Sequence, residues 1–189
     1  MAQMLTPSLW RTCRALANRK RLELLKRVIE QEPVSVEVLA PQVGISVCTC
    51  SQWLRLLNSR GLLSVVRQGR WVYYSSGADP AVKQSEEILT AIRMVLRTCR
   101  REDDYDAILK ALTAFTHPRR IQIVKAISVT DDLPVDRLMQ VSHISRPALF
   151  RHLQKLVQRS LLTVTDGRYA LALPETVFAY SLLRLALND

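Results

Sequence analysis

Apolar residues recur at helical spacing along most of this chain, and short alternating runs interrupt them. Leu22, Leu25, Val28 and Ile29 step by three and four within Arg19 to Gln31, which is one face of an amphipathic helix. Pro33 ends that segment, and a shorter periodic stretch, Ser8 to Ala17, precedes it. Val36 to Val43 reads as a short helix broken by Gly44. Ser46 is placed to cap the next helix, Val47 to Ser59, and Gly61 sits where a glycine commonly ends one. Leu62 to Val66 and Trp71 to Ser75 read as strands, with Arg67-Gln68-Gly69-Arg70 as the turn between them.

The pattern then returns. Displaced by 99 residues, Ala15 to Leu63 falls on Ala114 to Leu162 without a gap, and two copies are too few for a solenoid, so a duplicated domain is the better reading. Arg21 meets Arg120, Leu39 meets Leu138, Leu54 meets Leu153 and Leu57 meets Leu156. Beyond Leu162 the register slips by one, so that Gly69-Arg70 meets Gly167-Arg168. The second copy predicts helices over Tyr105 to Phe115, Pro118 to Ser128, Pro134 to Val141 and Ser145 to Arg159. A smaller hairpin follows, Leu162 to Thr165 and Arg168 to Leu171, around Asp166-Gly167.

Two helices lie outside the repeat. Pro80 to Arg101 carries a heptad-like seam of Ile88, Ile92, Val95 and Cys99, flanked by Leu89 and Leu96. Glu175 to Leu187 is apolar almost all round and must be covered on most sides. The pattern therefore predicts a mainly α protein with small β-hairpins. Two winged helix-turn-helix domains, 1–79 and 102–189, are joined by an interface helix over 80–101 and arranged as an intramolecular pseudo-dimer. The C-terminal helix supports the central interface and leaves room for a further homodimer.

Charge sharpens the picture. The 189 residues carry a formal charge of +10, which favours a polyanionic partner. It is unevenly shared: residues 1–101 hold 16 Lys+Arg against 7 Asp+Glu, and residues 102–189 hold 11 against 10. No apolar run is long enough to span a bilayer, and Met1 to Leu9 lacks the features of an export signal. A cytoplasmic protein with four thiols is expected, with no membrane partner.

A short helix, a tight turn, a longer helix and a hairpin form a winged helix-turn-helix, whose second helix enters the DNA major groove. The first copy resembles the ArsR-type winged-helix transcriptional regulators. The resemblance rests on Ala17-Asn18-Arg19-Lys20-Arg21-Leu22, Val43-Gly44-Ile45-Ser46, Leu54-Arg55-Leu56-Leu57 through Gly61-Leu62-Leu63, and Gly69-Arg70-Trp71-Val72-Tyr73-Tyr74. The second copy resembles the family through His117-Pro118-Arg119-Arg120-Ile121 and Ser145-Arg146-Pro147-Ala148 running into Arg151-His152-Leu153. The resemblance implies a repressor that binds operator DNA and releases it on binding an effector, whose identity the residues leave open. It also implies a homodimer in ordinary members, a design that one chain carries here as a pseudo-dimer.

Helical geometry assigns faces. Cys50, Leu54 and Leu57 belong to the core. Val47, Cys48, Thr49, Ser51, Gln52 and Arg55 are the DNA-facing candidates, with Arg67 and Arg70 on the wing. In the second copy Leu149, Leu153 and Leu156 are core. Arg146, Phe150, Arg151 and Gln154 face outward, with His152 at the edge and Arg168 on the wing. Arg to guanine and Gln to adenine are the usual bidentate pairings. Asp166 repels phosphate, so the first copy suits phosphate contact and the second suits base contact. Two unlike readers imply a non-palindromic site on double-stranded DNA.

The resemblance also locates a Cys-x-Cys metal site that many family members carry. Its positions here hold Ser35 and Glu37, so that site is missing. Cys48 and Cys50 point about 200° apart on a helix. Cys13 and Cys99 lie on helices that could meet at the interface, but ordinary buried thiols are the default reading. His117, His143 and His152 are scattered. No phosphate loop, nucleophile elbow or carboxylate pair appears, so neither catalysis nor a cofactor is expected. Two alternatives stay open. One is a protein-interaction module, which Phe150 and the weak charge of the second half favour. The other is a DNA binder without sequence preference.

Overall fold

The computed structural model describes residues 8–129 and 133–189. The reading of the extreme N-terminus as free of an export signal lies outside them, apart from Ser8 and Leu9. The chain is mostly helical, with two small antiparallel sheets.

The first unit holds α1 (Leu9–Leu16), α2 (Arg19–Gln31), β1 (Val34–Ser35), α3 (Val36–Val43), α4 (Val47–Asn58), β2 (Leu63–Gln68) and β3 (Trp71–Ser76). Next comes α5 (Ser85–Thr98). The second unit holds α6 (Glu102–Ala114), α7 (Pro118–Val129), β4 (Leu133–Pro134), α8 (Val135–Ser142), α9 (Arg146–Gln158), β5 (Leu162–Thr165) and β6 (Arg168–Leu171). The last helix is α10 (Val177–Asn188). The same element order thus occurs twice, and the sheets share one topology, β1-β3-β2 and β4-β6-β5.

Several expectations change. The two-residue strands β1 and β4 are additions: Val34 pairs with Tyr74, and Leu133 with Tyr169. The first wing is longer than expected. Arg67 and Gln68 remain in β2, opposite Val72 and Trp71, which leaves a two-residue turn, Gly69-Arg70. The second hairpin has the expected strands and turn, each strand two residues shorter than in the first wing. Its turn is Asp166-Gly167, so Arg168 opens β6 opposite Thr165 and is not the counterpart of Arg70. The connecting helix is shorter too. Residues 80–84 form turns held by the Asp79 carboxylate, which accepts from the Ala81 N–H at 2.9 Å, and Gln84 has a positive φ of 64°. In the second unit α6 starts at Glu102, where the Asp104 carboxylate accepts from the Arg100 and Arg101 N–H groups at 2.7 and 2.8 Å.

The core is one continuous cluster running through both units. Leu22, Leu25, Leu54 and Leu57 fill the first, and Ile123, Ile127, Leu153 and Leu156 fill the second. α10 packs on α5, α6 and α7, and α1 packs on α6. Phe178, Leu182, Leu183, Leu185 and Ala186 of α10 are buried, but Val177 and Tyr180 are 76% and 55% exposed. That helix is therefore amphipathic and not covered all round. Polar ties join the segments: Lys26 Nζ donates to the Cys99 carbonyl, Gln84 Nε2 to the Leu185 carbonyl, and Lys110 pairs with Glu175 at 3.3 Å. Among the described residues no helix is long and apolar enough to cross a membrane.

Two glycines of the first unit show what the second gives up. Gly44 (φ 66°) turns α3 into α4, and Gly61 (φ 69°) follows α4 with no room for a Cβ, which would meet Val82 at 2.8 Å. Their counterparts are His143 (φ 49°) and Ser160 (φ 55°). Side chains in the left-handed region cost roughly 1–2 kcal/mol each.

Candidate nucleic-acid interface

The basic residues that open α2 and α7 hold the fold together. The Arg21 side chain donates to the carbonyls of Ala15 and Arg14 at 2.5 and 3.4 Å, closing the end of α1. Arg120 does the same for α6, donating to Ala114 and Thr113 at 2.7 and 2.9 Å. Lys20 reaches the Val43 carbonyl at 3.1 Å, and its counterpart Arg119 reaches the Ser142 carbonyl at 2.8 Å. Each satisfies carbonyls that a helix end leaves without partners. Sequence reasoning had given these residues no role.

α4 is fixed at its start by Ser46, whose Oγ accepts from the Thr49 N–H at 3.1 Å and donates to Thr49 Oγ1 at 2.9 Å. Cys50, Leu54 and Leu57 are fully buried, and the opposite face is open. An open groove of about 580 Å³ runs between this helix and the wing. It brings together Val47, Ser51, Arg55, Arg67 and Arg70 from the expected set. It adds residues the sequence reading missed, among them Glu37, Asn58, Val65 and Tyr74. Arg55 Nη2 donates to Ser51 Oγ at 2.8 Å, and Arg70 lies over the Trp71 ring at 5.0 Å. Burial pushes the Tyr74 phenol up, while the nearby Arg55 and Arg67 guanidiniums pull it down.

Cys48 and Gln52 are exposed on the same helix and contact each other at 3.6 Å, outside the groove lining. Thr49 is half-buried and tied to Ser46. Cys48 is exposed and Cys50 buried, so they do not share a face. Burial, then Glu37, pushes the Cys50 thiol up to about 11. Cys13 and Cys99 are buried free thiols, both pushed up chiefly by burial. Among the described residues no group of three or more His, Cys, Asp or Glu could hold a metal ion. Ser35 is buried at the start of α3, and Glu37 is exposed.

The second unit differs. Leu149, Leu153 and Leu156 form the buried face of α9. Its groove between helix and wing, about 400 Å³, is lined by Phe150, Gln154, Val157, Gln158, Val164 and Tyr169. Arg146 lies over the Phe150 ring at 5.9 Å. Arg151 and Arg168 are exposed and do not line the groove. His152 is half-buried and packs on His117, with ring centroids 4.6 Å apart, so two histidines that look scattered in the sequence are neighbours. Both titrate below the usual histidine value. Burial is the first cause; Arg120 then depresses His117, while His117 and then Arg120 depress His152.

No family model matches the chain. It is similar to the nodulation protein NolR of Rhizobium meliloti, at 39% identity over 69 residues. That match covers 36% of this chain and 56% of the relative, so the chain spans little more than half of NolR. Among solved structures, reduced HlyU from Vibrio cholerae N16961 aligns at 24% identity with a TM-score of 0.37, over 46% of this chain and 84% of that one.

Proposed function

We propose that the chain carries an ArsR-type winged helix-turn-helix and is a transcriptional regulator that binds double-stranded DNA in a sequence-specific way. The observation that carries this reading is the first unit's groove, where Arg55 of α4 and Arg67 and Arg70 of the wing surround one open face. That unit also lies in the half with 16 Lys+Arg against 7 Asp+Glu. Guanidiniums on a wing suit phosphates, which position a protein without reading sequence. Gln52 and Arg55 on the exposed face of α4 suit base edges in the major groove. The protein acts by binding, with repression through occupancy of its site.

α4 is the reading helix and α9 presents different side chains, so one chain reads an element without two-fold symmetry. The exposed Val177 and Tyr180 of α10 offer a face for self-association, which sedimentation velocity would read. Selection of duplexes from a random pool by the full chain tests the reading. A single asymmetric consensus is expected, and recovery of unselected sequences would contradict it.

A further inference from the structure

The groove of the second unit matches that of the first in place but not in chemistry. At a displacement of 99, Phe150 stands for Ser51, Gln154 for Arg55 and Val157 for Asn58. The wall from the hairpin is kept, because Val164 pairs with Tyr169 as Val65 pairs with Tyr74. Among the described residues no charged side chain lines the second groove. Phe150 and Val164 are 42% and 49% exposed there. Covering such surface is favourable, and a phosphate would find no cation inside. The wing beside it is short and turns at Asp166, which repels phosphate.

We propose that this groove docks a short segment of a partner protein in which acidic residues adjoin one or two large apolar ones. The inference concerns a different surface from the DNA reading and does not depend on it. Charge complementarity selects the occupant. The face of α9 that presents Phe150 and Gln154 carries Arg146 one turn earlier, with its guanidinium over the Phe150 ring. The Ser145 side chain makes no capping hydrogen bond; Pro147 has no N–H and the Leu149 N–H is held by the Ser145 carbonyl, so the Ala148 N–H is what the first turn adds as a positive end beside Arg146. Exposed Arg151 adds a further cation on that helix. Asp166 lies at the wing turn. An acidic stretch therefore lies over Arg146, and the apolar anchor lies on Phe150 and Val164.

Selection of displayed random peptides on the full chain tests this, followed by anisotropy with one purified peptide. Enriched peptides are expected to place Asp or Glu next to an aromatic or aliphatic residue. Phe150→Ser, which installs the first unit's residue at an exposed position, should weaken that peptide by about tenfold or more, as loss of a central anchor does. Arg146→Gln should weaken it less and flatten its salt dependence. Arg55→Ala should leave it unchanged, and so should the affinity of Phe150→Ser for duplex DNA. Two results would overturn the proposal: no enriched peptide that needs Phe150, or a Phe150→Ser variant that loses DNA affinity. The second outcome would make the groove a DNA-reading surface. Loss of DNA binding by the intact chain would not touch the peptide result, so the two readings fail separately.

Discussion

The two units share a scaffold and differ in almost everything that faces outward. Their sheets have one strand order, and α4 and α9 bury leucines at equivalent positions, Leu54 with Leu153 and Leu57 with Leu156. The basic side chains that close helix ends are equivalent too, Arg21 with Arg120 and Lys20 with Arg119. The grooves are not: three arginines line one, and Phe150, Val157, Val164 and Tyr169 dominate the other. Packing constrains the buried residues of a winged helix, while the surface between helix and wing is free to take up separate partners. Sites grafted on a common fold in this way carry function that the fold itself does not specify.

The comparison breaks first at the core. Leu54→Ala and Leu153→Ala each empty a fully buried position and should each cost about 2–5 kcal/mol. Denaturant titration reads both. Because the core is continuous, a single transition is expected for either variant. Separate transitions would show that the units fold independently.

The shared clamps come next. Arg21→Ala and Arg120→Ala each remove charged hydrogen bonds to carbonyls at a helix end and should cost about 1.5–3 kcal/mol. Similar losses in chemical denaturation would support an equal structural role. A loss of DNA affinity for Arg21→Ala without loss of stability would instead make Arg21 a phosphate contact.

The smallest effect separates the units by pH. Asn18 Oδ1 accepts from the Arg21 N–H to cap α2, and His117 Nδ1 accepts from the Arg119 N–H at the start of α7. Protonation destroys the second acceptor but not the first. His117 and His152 both titrate below their usual value of 6.5. Their contribution is therefore present above pH 6.5 and is lost as pH falls through the depressed values. His117→Asn should leave the melting temperature at pH 8 nearly unchanged and reduce the loss between pH 7 and pH 5. An identical pH profile in the variant would remove His117 from the account.

Much of the scaffold was legible in the sequence because period and punctuation agree. Arg19–Gln31, Val36–Val43, Leu162–Thr165 and Arg168–Leu171 fall where periodicity places them. β1 and β4 were not legible, because two residues carry no period and their pairing with β3 and β6 is long-range. The Gly-Arg match between the wings misled: it sets Gly167-Arg168 against the turn residues Gly69-Arg70, whereas the ladder places Arg168 in β6 after the expected turn at Asp166-Gly167. Exposed faces of α4 and α9 could be read from helical geometry. Their grouping into two grooves could not, since it depends on how far each hairpin reaches. The closeness of His117 and His152 likewise depends on α7 meeting α9.

We propose that the first unit's arginine groove holds DNA and the second unit's groove does not. Duplex affinity measured across a salt series tests it most directly, for the intact chain, for Arg67→Ala with Arg70→Ala, and for Arg168→Ala. Each phosphate contact contributes about 0.9 to the slope of log K against log salt. The paired variant should flatten the slope by about two and weaken all sequences alike, while Arg168→Ala should leave it unchanged. A slope near zero for the intact chain, or a loss for Arg168→Ala that matches the paired variant, would contradict the account.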